Sequence, residues 1–342
     1  MSTWRMYHVH ARPAVTVIDR YVNVPGMPTE PRVVPIPCPF GQTGGVVYVY
    51  YIDAPQPALV DTGVAASPQA TIEPALRAAG VSLKDVRWIL ATHGHWDHIG
   101  GAHAARSMAA DGVSLALHAA DAELLRSRRA HMVPNGYQAL RFRYLDDAAA
   151  LARHDALIME NLSGELAADR ALNGGEQISL GGDVTIEVIH TPGHSPGSVS
   201  FVLSGLDWAF TGDSVQVCGS PGVPLYVDPV AYAASQKLLM EDVRPRRLHM
   251  GHRFRALDGS VLESVLDGPS VERALRDSVA MHERMAAAAR TVTTLDVGNP
   301  RADALAPAAE ALGLPAGDPT AWPPSFFTTL HGHLARAAVQ RA

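Results

Sequence analysis

Cysteine is scarce in this chain: its 342 residues contain two, Cys38 and Cys218. That is too few for a disulfide framework and points to two reduced thiols. Long hydrophobic runs are missing as well. The longest, residues 46–52, falls far short of a bilayer span, and residues 1–13 hold no apolar stretch of signal-peptide length. The expectation is a cytoplasmic protein without membrane contact. Positive charge is also in deficit, with 28 Lys and Arg against 34 Asp and Glu and a net charge of −6. Phosphate backbones are bound by basic surfaces, so nucleic acid is not an expected partner. What the chain does have is apolar mass: 47% hydrophobic and 18% charged residues suit a globular protein with a sizeable core. Its length allows one large domain, or one domain with an accessory piece.

Residues 14–63 read as β structure, densest at 46–52, with Ala58-Leu59-Val60 leading into Asp61-Thr62-Gly63. Residues 68–79 read as a helix capped by Gly80. Short apolar runs of buried-strand length follow at 86–91, 113–117, 177–180, 184–189, 199–203, 208–210 and 247–250. Residues 119–172 interrupt this rhythm with a helical composition rich in Ala, Leu and Arg, and from Ser260 onward the chain is mostly helical again. Short strands with helices in both halves imply an α/β sandwich.

One segment concentrates metal-ligand chemistry. His93-Gly94-His95-Trp96-Asp97-His98 places four ligand-type side chains within six residues, directly after an apolar strand. The strand end can aim His93 and His95 at one point, and the first turn of a following helix offers Asp97 and His98. Neutral imidazole and carboxylate are the ligands that zinc and similar divalent ions prefer. Three further candidates share one context, each just after a short apolar run and beside a glycine: His194, Asp213 and His252. Sites of α/β folds gather at the carboxyl ends of strands, so four separate segments are expected to meet there.

These residues resemble the metallo-β-lactamase superfamily, whose hallmark is His-x-His-x-Asp-His followed by a later His, an Asp and a final His. The resemblance covers roughly residues 30–255. It implies an αββα sandwich, with a main catalytic domain over 1–258 that carries 119–172 as a helical insertion, and a helical C-terminal extension over 259–342. It assigns His93, His95 and His194 to one metal, Asp97, His98 and His252 to a second, and Asp213 to the bridge between them. The implied cofactors are two zinc ions, with iron or manganese as alternatives. Asp61 matches a further motif of the superfamily, close behind the metals, where a carboxylate orients ligating imidazoles.

The expected activity is hydrolysis of an ester-like bond in a small-molecule substrate: thioester, lactone or ester. A metal-activated hydroxide attacks, and Asp97 and Asp213 are the carboxylates expected to take part. Such chemistry requires no serine or cysteine nucleophile. An Asp at 213 resembles the glyoxalase II, lactonase and ribonuclease Z-like branches rather than the β-lactam-hydrolysing ones. Phosphodiesterase action and a mononuclear-iron sulfur dioxygenase are the alternatives. The arginines and aromatics of the insertion, among them Tyr137, Arg141, Phe142 and Tyr144, suggest a lid over the metals or a homodimer contact. His103, His118, His190, His249, His331 and His333 are expected as ordinary surface histidines.

Overall fold

The computed structural model describes residues 30–41, 44–132, 139–293 and 300–341. Its strands form two sheets of six. The first runs in spatial order β1 (Arg32–Phe40), β2 (Gly45–Asp53), β3 (Ala58–Val60), β4 (Trp88–Leu90), β5 (Ser114–His118), β6 (Arg170–Leu172). The second comprises β7 (Gln177–Ser179), β8 (Thr185–His190), β9 (Val199–Leu203), β10 (Trp208–Gly212), β11 (Arg247–Met250) and β12 (Val265–Asp267), in unbroken order from β12 to β7. β3 to β6 pair in parallel, as do β10 and β11; the other neighbours are antiparallel.

Side-chain alternation along the strands sets the layers. Tyr50, Ile52, Val60 and Leu90 of the first sheet meet Val188, Phe201 and Phe210 of the second in one buried cluster. Their neighbours Val49, Tyr51, Leu59 and Ile89 face the other way. They pack beneath α1 (Glu73–Ala78) and α3 (Ala102–Met108), which follows the single turn α2 (Trp96–Ile99). On the far side Val202, Ala209 and Leu248 pack beneath α8 (Pro269–Arg290), after α7 (Pro229–Leu238). Helices thus cover both outer faces, and the αββα arrangement is met. β1 tolerates Pro35, Pro37 and Pro39 because it is an edge strand. At period two all three ring nitrogens point away from the ladder with β2.

The insertion contains α4 (Ala122–Arg126), a 3₁₀ turn at Arg128–Met132, α5 (Leu140–Leu145) and α6 (Ala148–Glu160), and then returns to the sheet as β6. β6 carried no strand signal, since Arg170 and Ala171 are exposed and only Leu172 is buried. After 258 the chain adds edge strand β12, then α8, α9 (Ala306–Ala311) and α10 (Pro324–Arg341). The basic and aromatic stretch of the insertion faces this tail. Tyr144 is buried, its hydroxyl lies 2.9 Å from Nδ1 of His331, and its ring packs on Phe327. Arg141 donates to the carbonyl of Thr320 at 2.7 Å. Tyr137 lies outside the described residues. The histidines expected at the surface divide: His249 and His118 are buried, and His331 and His333 are half-buried against tyrosines. No helix among the described residues is long and apolar enough to cross a membrane.

Phe326 and Phe327, both fully buried, share one apolar cluster with β9, β10 and β11. The tail should therefore unfold together with the sandwich. Phe326→Ala is expected to destabilise the whole protein by about 3–5 kcal/mol in chemical denaturation. A main transition unmoved by the substitution would show the tail to be a separate unit.

Candidate metal centre

Strand ends deliver the candidate ligands. β4 stops at Leu90, and the chain runs extended through His95 (φ −72°, ψ 146°) before turning into α2, whose first turn carries Asp97 and His98. His194, Asp213 and His252 come within four residues of the ends of β8, β10 and β11. All seven meet at one edge of the sandwich. Ligand-type atoms lie within 4.8 Å of one another in three overlapping groups: His93, His95 and His194; His93, His98 and Asp213; and Asp97, His98 and His252. Asp213 stands between the halves. Its Oδ2 is 3.5 Å from Nε2 of His194 and 3.6 Å from Nε2 of His252, and its Oδ1 is 3.5 Å from Nε2 of His98. Asp97 Oδ2 lies 3.3 Å from Nε2 of His252.

The outward ring nitrogens show which way the protons point. His98 Nδ1 is 2.8 Å from Asp61 Oδ2, and His252 Nδ1 is 2.7 Å from the carbonyl of Val46; both must donate. His194 Nδ1 lies 2.6 Å from the carbonyl of Leu225. The nearby Gln216 amide directs its two N–H groups to the carbonyls of Asp213 and Leu225, so His194 also donates from Nδ1. Thr92 gives its hydroxyl proton to Asp61, which leaves its oxygen to accept from His93 Nδ1 at 3.1 Å. In their neutral forms these four rings therefore present the Nε2 lone pair inward. Nε2 of His93 and His194 face each other at 3.1 Å, and those of His98 and His252 at 3.3 Å. Facing lone pairs at such distances repel unless positive charge sits between them.

Electrostatics agree. Burial holds the imidazoles of His93, His95 and His194 below their ordinary pKa, which keeps them neutral and fit to ligate. Burial also opposes charge on His98, but the carboxylates of Asp213, Asp61 and Asp97 override it and push that ring up to about 10. His252 is raised in the same way, burial being outweighed by Asp213 and Asp97. Burial would raise Asp97, yet His98 and His252 hold it well below the carboxylate range. Asp213 Oδ1 is buried and accepts no hydrogen bond among the described residues. This pocket of acceptors calls for positive charge, and the donor set fits divalent cations.

Sequence reasoning missed the residues that hold the loops together. Asp121, fully buried, accepts from Gly94 N–H (2.8 Å), Ser195 Oγ (2.6 Å) and Gly197 N–H (2.8 Å), tying the His93–His98 loop to the His194 loop. A side chain at Gly197 would strike this carboxylate, its Cβ lying 2.5 Å from Asp121 Cγ. Asp61 accepts from the backbone and hydroxyl of Thr92 as well as from His98, and it does so at a left-handed φ of 62°. Gly193-His194-Ser195-Pro196-Gly197 also spells Gly-x-Ser-x-Gly, the nucleophile-elbow pattern, which the sequence reading passed over. Ser195 is no nucleophile here, because its hydroxyl is buried and donates to the Asp121 carboxylate that ties the loops together rather than to a histidine.

A family profile described as the metallo-beta-lactamase superfamily matches residues 42–252. The chain belongs to the metallo-β-lactamase superfamily. Solved structures repeat the fold. A metallo-beta-lactamase family protein from Thermus thermophilus superposes with a TM-score of 0.65 at 22% identity, covering 91% of this chain and 94% of its own. An archaeal metallo-beta-lactamase superfamily protein from Sulfolobus tokodaii gives a TM-score of 0.51 at 18% identity, covering 88% and 97%. No curated protein matches the chain. The superfamily consists mostly of metal-dependent hydrolases, which fits the acceptor-lined centre. A cavity of about 130 Å³ opens beside His95. A second, of about 200 Å³, lies behind the second sheet between Arg255, Met281 and Leu314, and none of the seven residues lines it.

Two outcomes follow from this geometry. Asp61→Asn should weaken metal binding by about 10- to 100-fold, because the amide cannot reproduce both the charge and the acceptors at His98 and Thr92; equilibrium dialysis measures it, and an unchanged affinity would refute the role. Metal uptake should also release protons. In the metal-free chain His98, raised to about 10, contributes stability that is fully present below 6.5 and lost as pH rises through about 10. His93, His95 and His194 are lowered instead, so their burial weakens the fold as pH falls below 6.5. Cations displace the protons of His98 and His252, and calorimetry near pH 7.5 in buffers of different ionisation enthalpy should register about one to two protons released. Zero release would contradict the proton arrangement.

Proposed function

We propose that the chain is a hydrolase of an ester-like bond, thioester, lactone or ester, working at a pair of zinc ions. The observation that supports it most directly is the inward ring of ligand atoms: imidazoles and carboxylates from four segments, with Asp213 between the halves and the Nδ1 protons of His93, His98, His194 and His252 committed to outer acceptors. In this reading His93, His95 and His194 hold one ion, Asp97, His98 and His252 the other, and Asp213 both. Bound there, the ions supply Lewis acidity and a water nucleophile available near neutral pH. Nitrogen and carboxylate donors without thiolate favour zinc or a neighbouring first-row metal.

The remaining work belongs to the chain. Asp97 has the most exposed side chain of the acidic and imidazole groups around the second half, at 15%. It takes the proton lost by the attacking water and hands it to the leaving group. Asp61, Val46 and Leu225 hold His98, His252 and His194 in one tautomer and orientation, so that no reorganisation is needed as charge develops on the carbonyl oxygen. Burial of the six groups other than Asp97 lowers the local dielectric and strengthens each of these interactions.

A screen of the zinc-loaded protein against acyl thioesters, lactones, aryl esters and bis-p-nitrophenyl phosphate tests the reading. Hydrolysis of at least one ester-type class is expected, with Asp97→Asn lowering kcat by about 100- to 10,000-fold while the ion at His93, His95 and His194 is retained. Asp213→Ala should lose both metal and activity. Turnover that survives exhaustive chelation, or cleavage of the phosphodiester alone, would overturn it. Metal analysis decides the cation: two zinc per chain is the expected content, and one iron would favour dioxygenase chemistry.

A further inference from the structure

The cavity beside the metal centre has walls from two sources. Leu124 and Ala130 come from α4 and the 3₁₀ turn of the insertion, and Pro196 and Val227 from the loops that follow β8 and precede α7. His95, one of the seven, forms part of the lining, so the cavity adjoins the centre itself. α4 is fixed against that centre. Leu124 Cδ1 would lie 2.7 Å from a Cβ at Gly94, and Asp121, at the start of α4, holds the loops on both sides.

The polar groups of this cavity are few and uncharged. Ser195 directs its hydroxyl to Asp121. His131 donates from Nε2 to the carbonyl of Leu124 at 2.8 Å, and burial lowers its pKa, so it is neutral. Among the described residues no Lys or Arg lines the space. An anionic group at the end of the cavity away from His95 would lose hydration with no Lys or Arg to replace the water. The cavity's volume is about 130 Å³. A protein cavity of about 150 Å³ accommodates benzene, so this one holds a chain of about five or six carbons.

We propose that this cavity is the acyl pocket, and that it selects a short, uncharged, apolar acyl chain of about five or six carbons. The inference rests on the reading of the centre as a hydrolase of ester-like bonds. It assigns specificity to Ala130 and Val227, which touch the acyl chain and take no part in the chemistry.

Binding of carboxylates, the product class of such a reaction, tests it without need of turnover. Straight-chain acids from acetate to decanoate are titrated calorimetrically into the zinc-loaded protein. Affinity should rise by about fourfold for each methylene buried, up to about six carbons, and then level or fall. Glutarate should bind no better than acetate. Ala130→Leu, or Val227→Leu should that variant fold poorly, moves the break to shorter chains while metal content and acetate affinity stay fixed. In turnover the same order should appear in KM for matching acyl thioesters, with kcat little changed. An affinity independent of chain length, a glutarate preference, or superimposable profiles for the wild type and both variants would overturn the pocket. Those results would leave the hydrolase reading intact, since that stands or falls on turnover, chelation and Asp97→Asn.

Discussion

The arrangement that everything else serves is a set of imidazoles whose protons all face outward. An imidazole in its neutral form has one N–H, and fixing that proton on an outer acceptor commits the other nitrogen to present a lone pair. Here the outer acceptors are the Asp61 carboxylate, the backbone carbonyls of Val46 and Leu225, and the hydroxyl of Thr92. The interior they create is repulsive to itself. His98 shows how strongly the site demands positive charge, for its environment would rather hold a proton there, in a fully buried ring, than leave the carboxylates of Asp61, Asp97 and Asp213 uncompensated. Divalent cations satisfy that demand better than a proton does, because one ion meets several lone pairs at once.

Those acceptors explain why the sandwich must be built as it is. Val46 belongs to β2 of the first sheet, while His252 follows β11 of the second, so a single hydrogen bond spans the two sheets. The Tyr50 hydroxyl reinforces it by donating toward the carbonyl of Met250, and the Tyr48 amide by donating to Gly251. Leu225 lies in a loop that α10 supports from behind, through Ser325 on Val223 and Thr329 on Pro224. The C-terminal helix is therefore connected to the orientation of His194 although it lies outside the segment matched by the superfamily profile. Gly251 completes the packing. A Cβ there would come within 2.4 Å of Asp213 Oδ1 and 2.7 Å of the His98 ring, so only glycine lets β11 deliver His252 past the other two.

The sandwich and the seven side chains of the centre were legible in sequence because their signals are local. Strands of alternating apolar residues need no knowledge of their partners, and His93 to His98 declare themselves within six positions. Asp121 was invisible for the opposite reason. Its three partners lie at Gly94, Ser195 and Gly197, and nothing around it in the chain marks it out from any Asp at the start of a helix. β6 was hidden because an edge strand with two of three residues exposed has no apolar pattern to show. The stretch at 140–145 reads as a lid or a homodimer contact from its Arg, Tyr and Phe, and its pairing with the tail was not legible: Leu140 and Tyr144 bury themselves against α10. Composition identifies side chains in need of a partner; it does not say whether that partner is a substrate or a distant helix.

This distinction bears on how specificity is divided in the molecule. The centre is held by strand ends and by backbone carbonyls, parts that cannot change without loss of the sandwich. The cavity beside it takes half its wall from α4 and the following turn, in a segment inserted between β5 and β6. Its helices pack on α10 and on the turn at 128–132, and its far end is tied to the sandwich as well, with Ile158 and Leu162 against Trp96 and the Asn161 carbonyl accepting from the Ala65 amide. Asp121 sits at the junction where the insertion begins and binds the loops that carry His95 and His194. It fixes the near end of the insertion to the centre, so that a wall residue such as Ala130 is referenced to His95 rather than adrift on a surface loop. The seven side chains are thus placed by strand ends and the wall of the cavity by the insertion, with Asp121 joining the two.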